Sequence, residues 1–358
     1  MARLLYTDLR SREILGEIKA SRFGFSEILS APGSISFSGP LRQEAAGAPV
    51  LVTPENLVEG GSGLWVDLGS GVLGFGGIMW DFDPDVDTNT MTVLGEGFHS
   101  YARRRVLDHD LSFDGVDQAQ IAHDLIADMQ AVSGGDVGIV TEDPASPTGV
   151  LRDRSFAGYE LGFYGDLVSL LAGVKNGFDF RYRPRYSSVD GEPEVAFEVL
   201  YPKTGRTTPL VFRLGENCSL ASYRSTGREL ANRTFATGAG TGPARIRSSA
   251  VDASALNERP LLEAVTSHPT VKKADTLAGH ASRRLSIGRH PVAAIAVRLI
   301  PGHPEMKLGA FEIGDRVKFI GSHGRLVVDG FFRIVQIDAV FGDAEAVTVH
   351  LADVRSFQ

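Results

Sequence analysis

The chain has 358 residues, more than one compact core usually holds, and its length points to two or three domains. Its 43% hydrophobic and 22% charged residues exclude a disordered or low-complexity chain. A net charge of −8 argues against a phosphate-gripping surface, a single cysteine excludes an internal disulfide and a cysteine-based zinc cage, and no apolar run approaches the ~20 residues of a membrane helix.

The opening MARLLYTDLRSREIL alternates short apolar runs with charges and holds no stretch long enough for a signal peptide, so a soluble chain folding in a reducing cytoplasm is expected. Forty-one glycines punctuate segments of period-two alternation, the pattern of antiparallel strands joined by tight turns. Strands are expected at Leu4 to Thr7, Glu13 to Ile18, Phe23 to Leu29 and Ser34 to Ser38, with a turn at Pro32-Gly33. Further strands follow at Gly63 to Leu68, Gly71 to Trp80, Thr90 to Gly97 and Tyr101 to Leu107.

The period changes at Asp117, where capping-box-like spacing to Gln120 precedes Ile121, Leu125, Met129 and Val132 at helical intervals. Gly134-Gly135 ends that helix. A second is predicted over Phe163 to Lys175, with Leu167, Leu170, Leu171 and Val174 on one face and Asn176-Gly177 as its stop. A hairpin follows, Asp179 to Arg185 and Val195 to Tyr201, turning at Val189 to Glu192. Strands resume at Leu220 to Arg224 and Asn232 to Thr237, a third helix spans Asp275 to Ile287, and strands return at Val292 to Ile300, Val317 to Ile320, Leu326 to Val328, Phe331 to Ile337 and Ala346 to Leu351.

Four motifs suggest chemistry, and each has a plainer reading. Asp81, Asp83, Asp85, Asp87 and Asn89 alternate as calcium ligands do, but the sixth-position glycine and twelfth-position glutamate are missing, which leaves an exposed acidic hairpin loop between Trp80 and Thr90. Asp108-His109-Asp110 places carboxylates beside an imidazole, but strand neighbours point to opposite faces, so a surface or turn histidine is favoured. Gly238 to Pro243 resembles a nucleotide-binding glycine loop, yet Pro243 replaces the third glycine and Arg245 to Val251 does not read as a helix, so a strand-to-strand loop is expected. Arg103-Arg104-Arg105 beside Tyr101 is a small basic cluster that on a strand would split across two faces; ion pairs across a subunit interface are as good an account as nucleic acid. Cys218 reads as a small buried hydrophobe. No catalytic, cofactor-binding or metal-binding residue is assigned, and no cofactor is expected.

The order of these features carries a resemblance. YTDLRSREILGEIKASRFGFSEILSAPGSISFSGPL, with its P-G-S-x-S-F strand, resembles the start of minor tail proteins of long-tailed bacteriophages of actinobacteria. GIMWDFDPDVDTNTMTVLGEGFHSYARRRVL, RSFAGYELGFYGDLVSLLAGVKNGFDFRYRP, ANRTFATGAGTG and IGDRVKFIGSHGRLVVDGFFRIVQI resemble later blocks of the same family, so the resemblance covers nearly the whole chain. It is similar to trimeric baseplate hub proteins. The resemblance implies a mainly β fold with an α+β insert, two tail-tube-like β-barrel or sandwich domains plus a smaller α+β domain. The β-rich blocks fall at residues 1–112 and 216–358, the latter with one helix at about 275–287, around the insert at 113–215.

It further implies a non-enzymatic virion protein at the phage tail tip, made in the host cytoplasm. Such a homotrimeric tail hub matches a sixfold tube to a threefold tip, contacts the distal tail protein and the tape-measure protein, and passes DNA through its lumen without specific binding. The competing expectation is a tail-tip protein that binds the host envelope or hydrolyses its cell wall.

Overall fold

A computed structural model describes residues 2–41, 57–142, 144–174, 176–269, 271–289, 292–303, 305–324 and 326–354. The chain opens with seven strands: β1 (Arg3–Asp8), β2 (Ile14–Ile18), β3 (Arg22–Ile28), β4 (Ser34–Pro40), β5 (Ser62–Gly69), β6 (Val72–Asp85) and β7 (Thr90–Gly97). Strict alternation dictates them: along β7 every second residue, Met91, Val93, Gly95 and Gly97, is buried. Glycine is needed at Gly97, where a Cβ would run into the Pro32 carbonyl, and the Pro32-Gly33 turn holds Gly33 at φ +68°.

The chain then forms α1 (His99–Ala102), β8 (Leu111–Asp117), α2 (Gln118–Ala131), β9 (Ile139–Val140), β10 (Leu151–Phe156), α3 (Tyr164–Gly173), β11 (Asp179–Tyr186) and β12 (Pro193–Leu200). The strand expected at Tyr101 to Leu107 is instead the end of a short helix and a turn. Phe98 and Ala102, four residues apart, are both fully buried, and the Trp80 indole donates to the Ser100 hydroxyl at 3.0 Å, so the segment plugs the core with helical spacing.

Helix α2 starts where its cap dictates, the Asp117 carboxylate accepting from the Ala119 N–H at 2.9 Å, and it buries Ile121, Leu125 and Met129. Val132 lies beyond the helix end and is exposed. In α3 the buried face is Tyr164, Val168, Leu171 and Ala172, while Leu170 points to solvent and Val174 follows the last turn, which corrects the expected face. Lys175 lies outside the described residues.

The last third comprises β13 (Thr207–Arg213), β14 (Cys218–Thr226), β15 (Arg233–Thr237), β16 (Arg247–Val251), β17 (Glu263–Ser267), α4 (Ala274–Gly288), β18 (Val292–Leu299), β19 (Arg316–His323), β20 (Leu326–Phe341) and β21 (Ala346–Asp353). The two strands expected at 326–328 and 331–337 are one sixteen-residue strand, because Asp329 and Gly330 keep their pairing with Ile320 and Phe319.

Among the described residues one sheet of 13 strands joins the beginning and end of the chain, in the order β14-β18-β21-β20-β3-β4-β7-β6-β5-β1-β2, with β19 and β13 branching from β20. The first half of β20 pairs with β19; its second half pairs with β3, from Gln336 opposite Ile28 to Phe341 opposite Phe23. One core fills the inner face, uniting Leu4, Tyr6, Phe25, Phe37 and Val93 with Val297, Phe319, Ile334 and Val349. A second core lies on the outer face of β1, β5 and the start of β6, where Leu5, Trp65 and Ile78 meet Leu125, Met129, Val168, Phe180 and Phe197 of the insert. Adjacent residues thus serve opposite cores, Leu4 and Leu64 one, Leu5 and Trp65 the other.

Asp117 also accepts from the Thr148 and Gly149 N–H groups at 2.9 and 2.7 Å, tying α2 to the chain that leads into β10. Asp117→Ala is expected to destabilise the protein by about 2 kcal/mol in urea unfolding, the upper part of the range for a lost cap.

Candidate functional surface

Two charged constructions stand out, one buried and one open. The buried one locks the insert to the β blocks. The Arg333 guanidinium on β20 is fully buried and donates to the Asp179 carboxylate of β11, to the Lys203 carbonyl and, at 3.1 Å, to the Gly314 carbonyl. Lys203 reaches Asp179 at 3.5 Å and donates to the Ala172 carbonyl at 2.9 Å. Next along β11, Arg181 bridges Glu198 at 2.6 Å and Glu312 at 2.7 Å, and Arg183 meets Glu312 at 2.9 Å.

Glu27 of β3 faces this group across a cleft of ≈ 310 Å³ lined also by Phe25, Arg181, Arg183, Phe311 and Glu312. Removal from water pushes its carboxyl up to about 7; Arg181 opposes the rise, and the like charges of Glu312 and Glu198 add to it. Insert, first β block and last β block therefore meet in one ionic joint.

The open construction is the outer face of the sheet. The insert covers that face over β1, β5 and the start of β6, and a β-bulge between Met79 and Asp81 marks where cover ends. Beyond it, register places Asp81, Asp83 and Asp85 of β6 beside Leu94, Thr92 and Thr90 of β7, then Ser36 and Ser38 of β4. Ser34, Ser36 and Ser38 lie opposite Ser26, Gly24 and Arg22 of β3, and Ser26 opposite Asp338 of β20. Gln336 and Asp338 face His350 and Thr348 of β21, which face Ala296 and Arg298 of β18.

Paired residues share a face, so these side chains form one surface across seven strands from both β blocks. Its side chains are bonded to one another: the Gln336 amide donates to Ser26 at 3.1 Å and to Asp338 at 2.8 Å, His350 meets Asp338 at 2.6 Å, and the Ser38 and Thr92 hydroxyls lie 3.4 Å apart. Burial alone would raise the Asp338 carboxyl, but the bonds from Ser26, Gln336 and His350 outweigh it and hold the group below the usual carboxylate range. Four carboxylates, Asp81, Asp83, Asp85 and Asp338, against two guanidiniums, Arg22 and Arg298, make the face acidic and rich in hydroxyls.

The other motifs fall elsewhere. The acidic run is shorter as a loop than expected: β6 continues to Asp85 because Phe82 packs inward between exposed Asp81 and Asp83, and only Val86 to Asn89 turn. The Asp85 carboxylate accepts from the Asp87 and Thr88 N–H groups at 3.0 and 3.1 Å. Asp108-His109-Asp110 lies in a loop rather than on a strand. His109 sits between Asp108 and Asp128 at 3.2 and 3.3 Å, and the bond to Asp108, followed by the charge of Asp128, raises its pKa.

The three arginines are engaged within the chain, Arg103 with Asp166 at 3.7 Å, Arg104 stacked 3.9 Å over Trp80 and Arg105 on the Tyr101 hydroxyl at 2.9 Å. Gly238 to Pro243 joins β15 to β16, closed by bonds between Gly238 and Ile246 and between Ile246 and Ala239, as a strand-to-strand loop. Cys218 is buried, and burial pushes its thiol up to about 11. The serine stripe of β4, visible as S-x-S-x-S in the sequence, is the feature of the open face that reading for catalytic motifs passes over.

This architecture, a large antiparallel sheet carrying an α+β insert, is similar to that of three solved tail proteins. The chain superposes over 99% of its length on all of the 43 kDa tail protein of prophage MuSo2 from Shewanella oneidensis, with a TM-score of 0.67 and 13% identity. The tail protein from Neisseria meningitidis MC58 matches 99% of this chain with 98% of its own, at a TM-score of 0.63 and 12% identity. Prophage tail protein gp18 from Listeria monocytogenes EGD-e matches 97% with 94%, at 0.57 and 14%. No family model and no curated protein sequence matches the chain.

Replacing Asp179 with Asn leaves Arg333 buried without its counter-charge and is expected to cost about 3–5 kcal/mol in denaturant unfolding. Glu27 titrates with the opposite logic. Its folded pKa of about 7 exceeds the ordinary 4.5, so its share of stability is full below pH 4.5 and lost as pH rises through 7. Glu27→Gln should flatten the melting temperature over that window and raise it at pH 8.

Proposed function

We propose that this chain is a non-enzymatic structural protein of a phage-type tail, acting as a homotrimeric hub at the distal end of the tail tube. The observation that carries this reading is the open acidic, hydroxyl-rich sheet face running unbroken across the β20–β3 seam. A wall for passing DNA needs wettable side chains that offer no cationic grip, because phosphate affinity comes chiefly from clustered lysine and arginine. Asp81, Asp83, Asp85 and Asp338 repel phosphate, and the hydroxyls of Ser34, Ser36, Ser38 and Thr92 bind water in its place.

In this reading the β blocks at 1–112 and 216–358 are two tube-like domains and 113–215 is the domain between them. Three copies then supply six such modules, enough to continue a sixfold tube while ending in a threefold tip. The full-length likeness to three tail proteins supports the assignment to a tail. The partners are the distal tail protein and the tape-measure protein, the location is the tail tip of the virion, and DNA crosses the lumen without specific contacts.

Electron-microscopic reconstruction of particles carrying this chain checks the reading. The expected image has threefold density at the tail tip with the β4 serine stripe toward the axis. Density outside the axial channel, or without threefold order, is the contrary result. Purified protein is also expected to leave duplex DNA unshifted in gel electrophoresis at physiological salt.

A further inference from the structure

The charges of this chain are unevenly distributed. Residues 106–174 carry twelve acidic side chains against two basic ones, whereas residues 224–298 carry twelve basic against five acidic. The whole-chain value of −8 conceals this polarity. Among the described residues, each region also bears a patch of exposed apolar side chains.

In the acidic region the face is built around α3. Phe163 and Leu170, seven residues apart on the side away from the buried Val168 and Leu171, are 42% and 66% exposed, and the half-buried Leu167 between them packs against the core of the insert. Just before them Tyr159 is 84% exposed and Leu161 is 57% exposed, held at φ +49°. A leucine in the left-handed region costs about 1 kcal/mol, and here burial of its own side chain does not offset it. Asp108, Glu160 and Asp166, all exposed, surround this patch.

In the basic region β16, β15 and β17 form a separate three-stranded sheet whose one face holds α4 through Ala236, Leu277 and Ala281. Register places Phe235, Ser249 and Val265 in one row on the other face, with Arg233, Val251 and Glu263 in the next and Arg247 beyond. Val265 is 68% and Val251 47% exposed. On this face Arg233 meets Glu263 at 3.5 Å and lies over the Phe235 ring, so exposed Val251 and Val265 stand among hydroxyls and guanidiniums on the side that α4 does not cover.

The geometry points to a head-to-tail contact between copies of this chain: the acidic Tyr159–Leu170 surface of one copy seats on the open, basic β16-β15-β17 face of the next. The occupant is a second copy because the two surfaces complement each other both in charge and in apolar character, and each copy carries one of each. A contact between unlike surfaces closes into a ring when its rotation permits, and three copies would satisfy every patch. The inference rests on the homotrimer reading and names the surfaces that make it.

The test uses charge reversal and cross-linking in the full chain. Glu160→Lys with Asp166→Lys, or Arg233→Glu with Arg247→Glu, should each weaken self-association by about tenfold in light scattering and sedimentation, since one or two cross-interface ion pairs are worth that factor. All four substitutions in one chain should restore it, which a merely structural effect would not do. Leu170→Cys with Val265→Cys should give oxidised dimers and trimers on non-reducing gels, with Cys218 silent because it is buried. Glu160, Asp166, Leu170, Arg247 and Val265 are exposed and Arg233 is half-buried, and unchanged melting curves verify the fold.

Trimers that form regardless of either reversal and never cross-link would overturn the contact while leaving the hub reading intact. A chain that stays monomeric at every concentration, in particles lacking threefold order, would overturn both.

Discussion

Everything in this protein depends on one seam, the antiparallel pairing of β20 with β3. The two strands are more than 300 residues apart in the chain, and their pairing turns the first and last β blocks into one sheet with one inner core. Backbone hydrogen bonds give the seam its strength, but they do not choose its register. Register follows from the rows of side chains: Ile337, Ala339 and Phe341 must enter the core beside Phe25 and Phe23, and a slip by one residue would turn Gln336 and Asp338 inward.

The ionic joint fixes what the seam leaves free, the position of the insert. A buried ion pair adds little net stability, because desolvation consumes most of the attraction. It does penalise every arrangement in which Arg333 or Asp179 lacks its partner. The Arg333 contacts join β20, β11 and the Lys203 and Gly314 carbonyls, and Arg181 extends the network to Glu312, so the insert can dock in one orientation only if all are to be met. Docked so, it buries the outer face at one end of the sheet and leaves the rest bare. The same joint that rigidifies the molecule thereby delimits its open acidic face.

That division of one sheet face into covered and uncovered parts links packing to role. Under the insert the outward residues are Leu5, Trp65 and Ile78; past the bulge at Met79 they become aspartate, serine and threonine. The hydroxyls and carboxylates of the uncovered part lie on a surface that spans seven strands, and the proposed lumen wall rests on them. The bare faces of α3 and of the β16-β15-β17 sheet are of a different kind, apolar and oppositely charged, and suit contact with protein.

Much of this was legible in the sequence. Strand after strand followed from period-two alternation, α2 from its aspartate cap and helical spacing, and the glycine loop from the proline that spoils it. Those are local properties, set by backbone sterics and by which side chains a strand or helix turns to water. Tertiary structure decided the rest. His99 to Ala102 became helical because Phe98 and Ala102 had to fill a core supplied by distant strands, and Leu170 was left outside because α3 rotated to bury Val168 and Leu171 against α2. The serine stripe and Asp338 joined one surface only through the β20–β3 pairing, and no local pattern encodes which strands, 300 residues apart, will lie side by side.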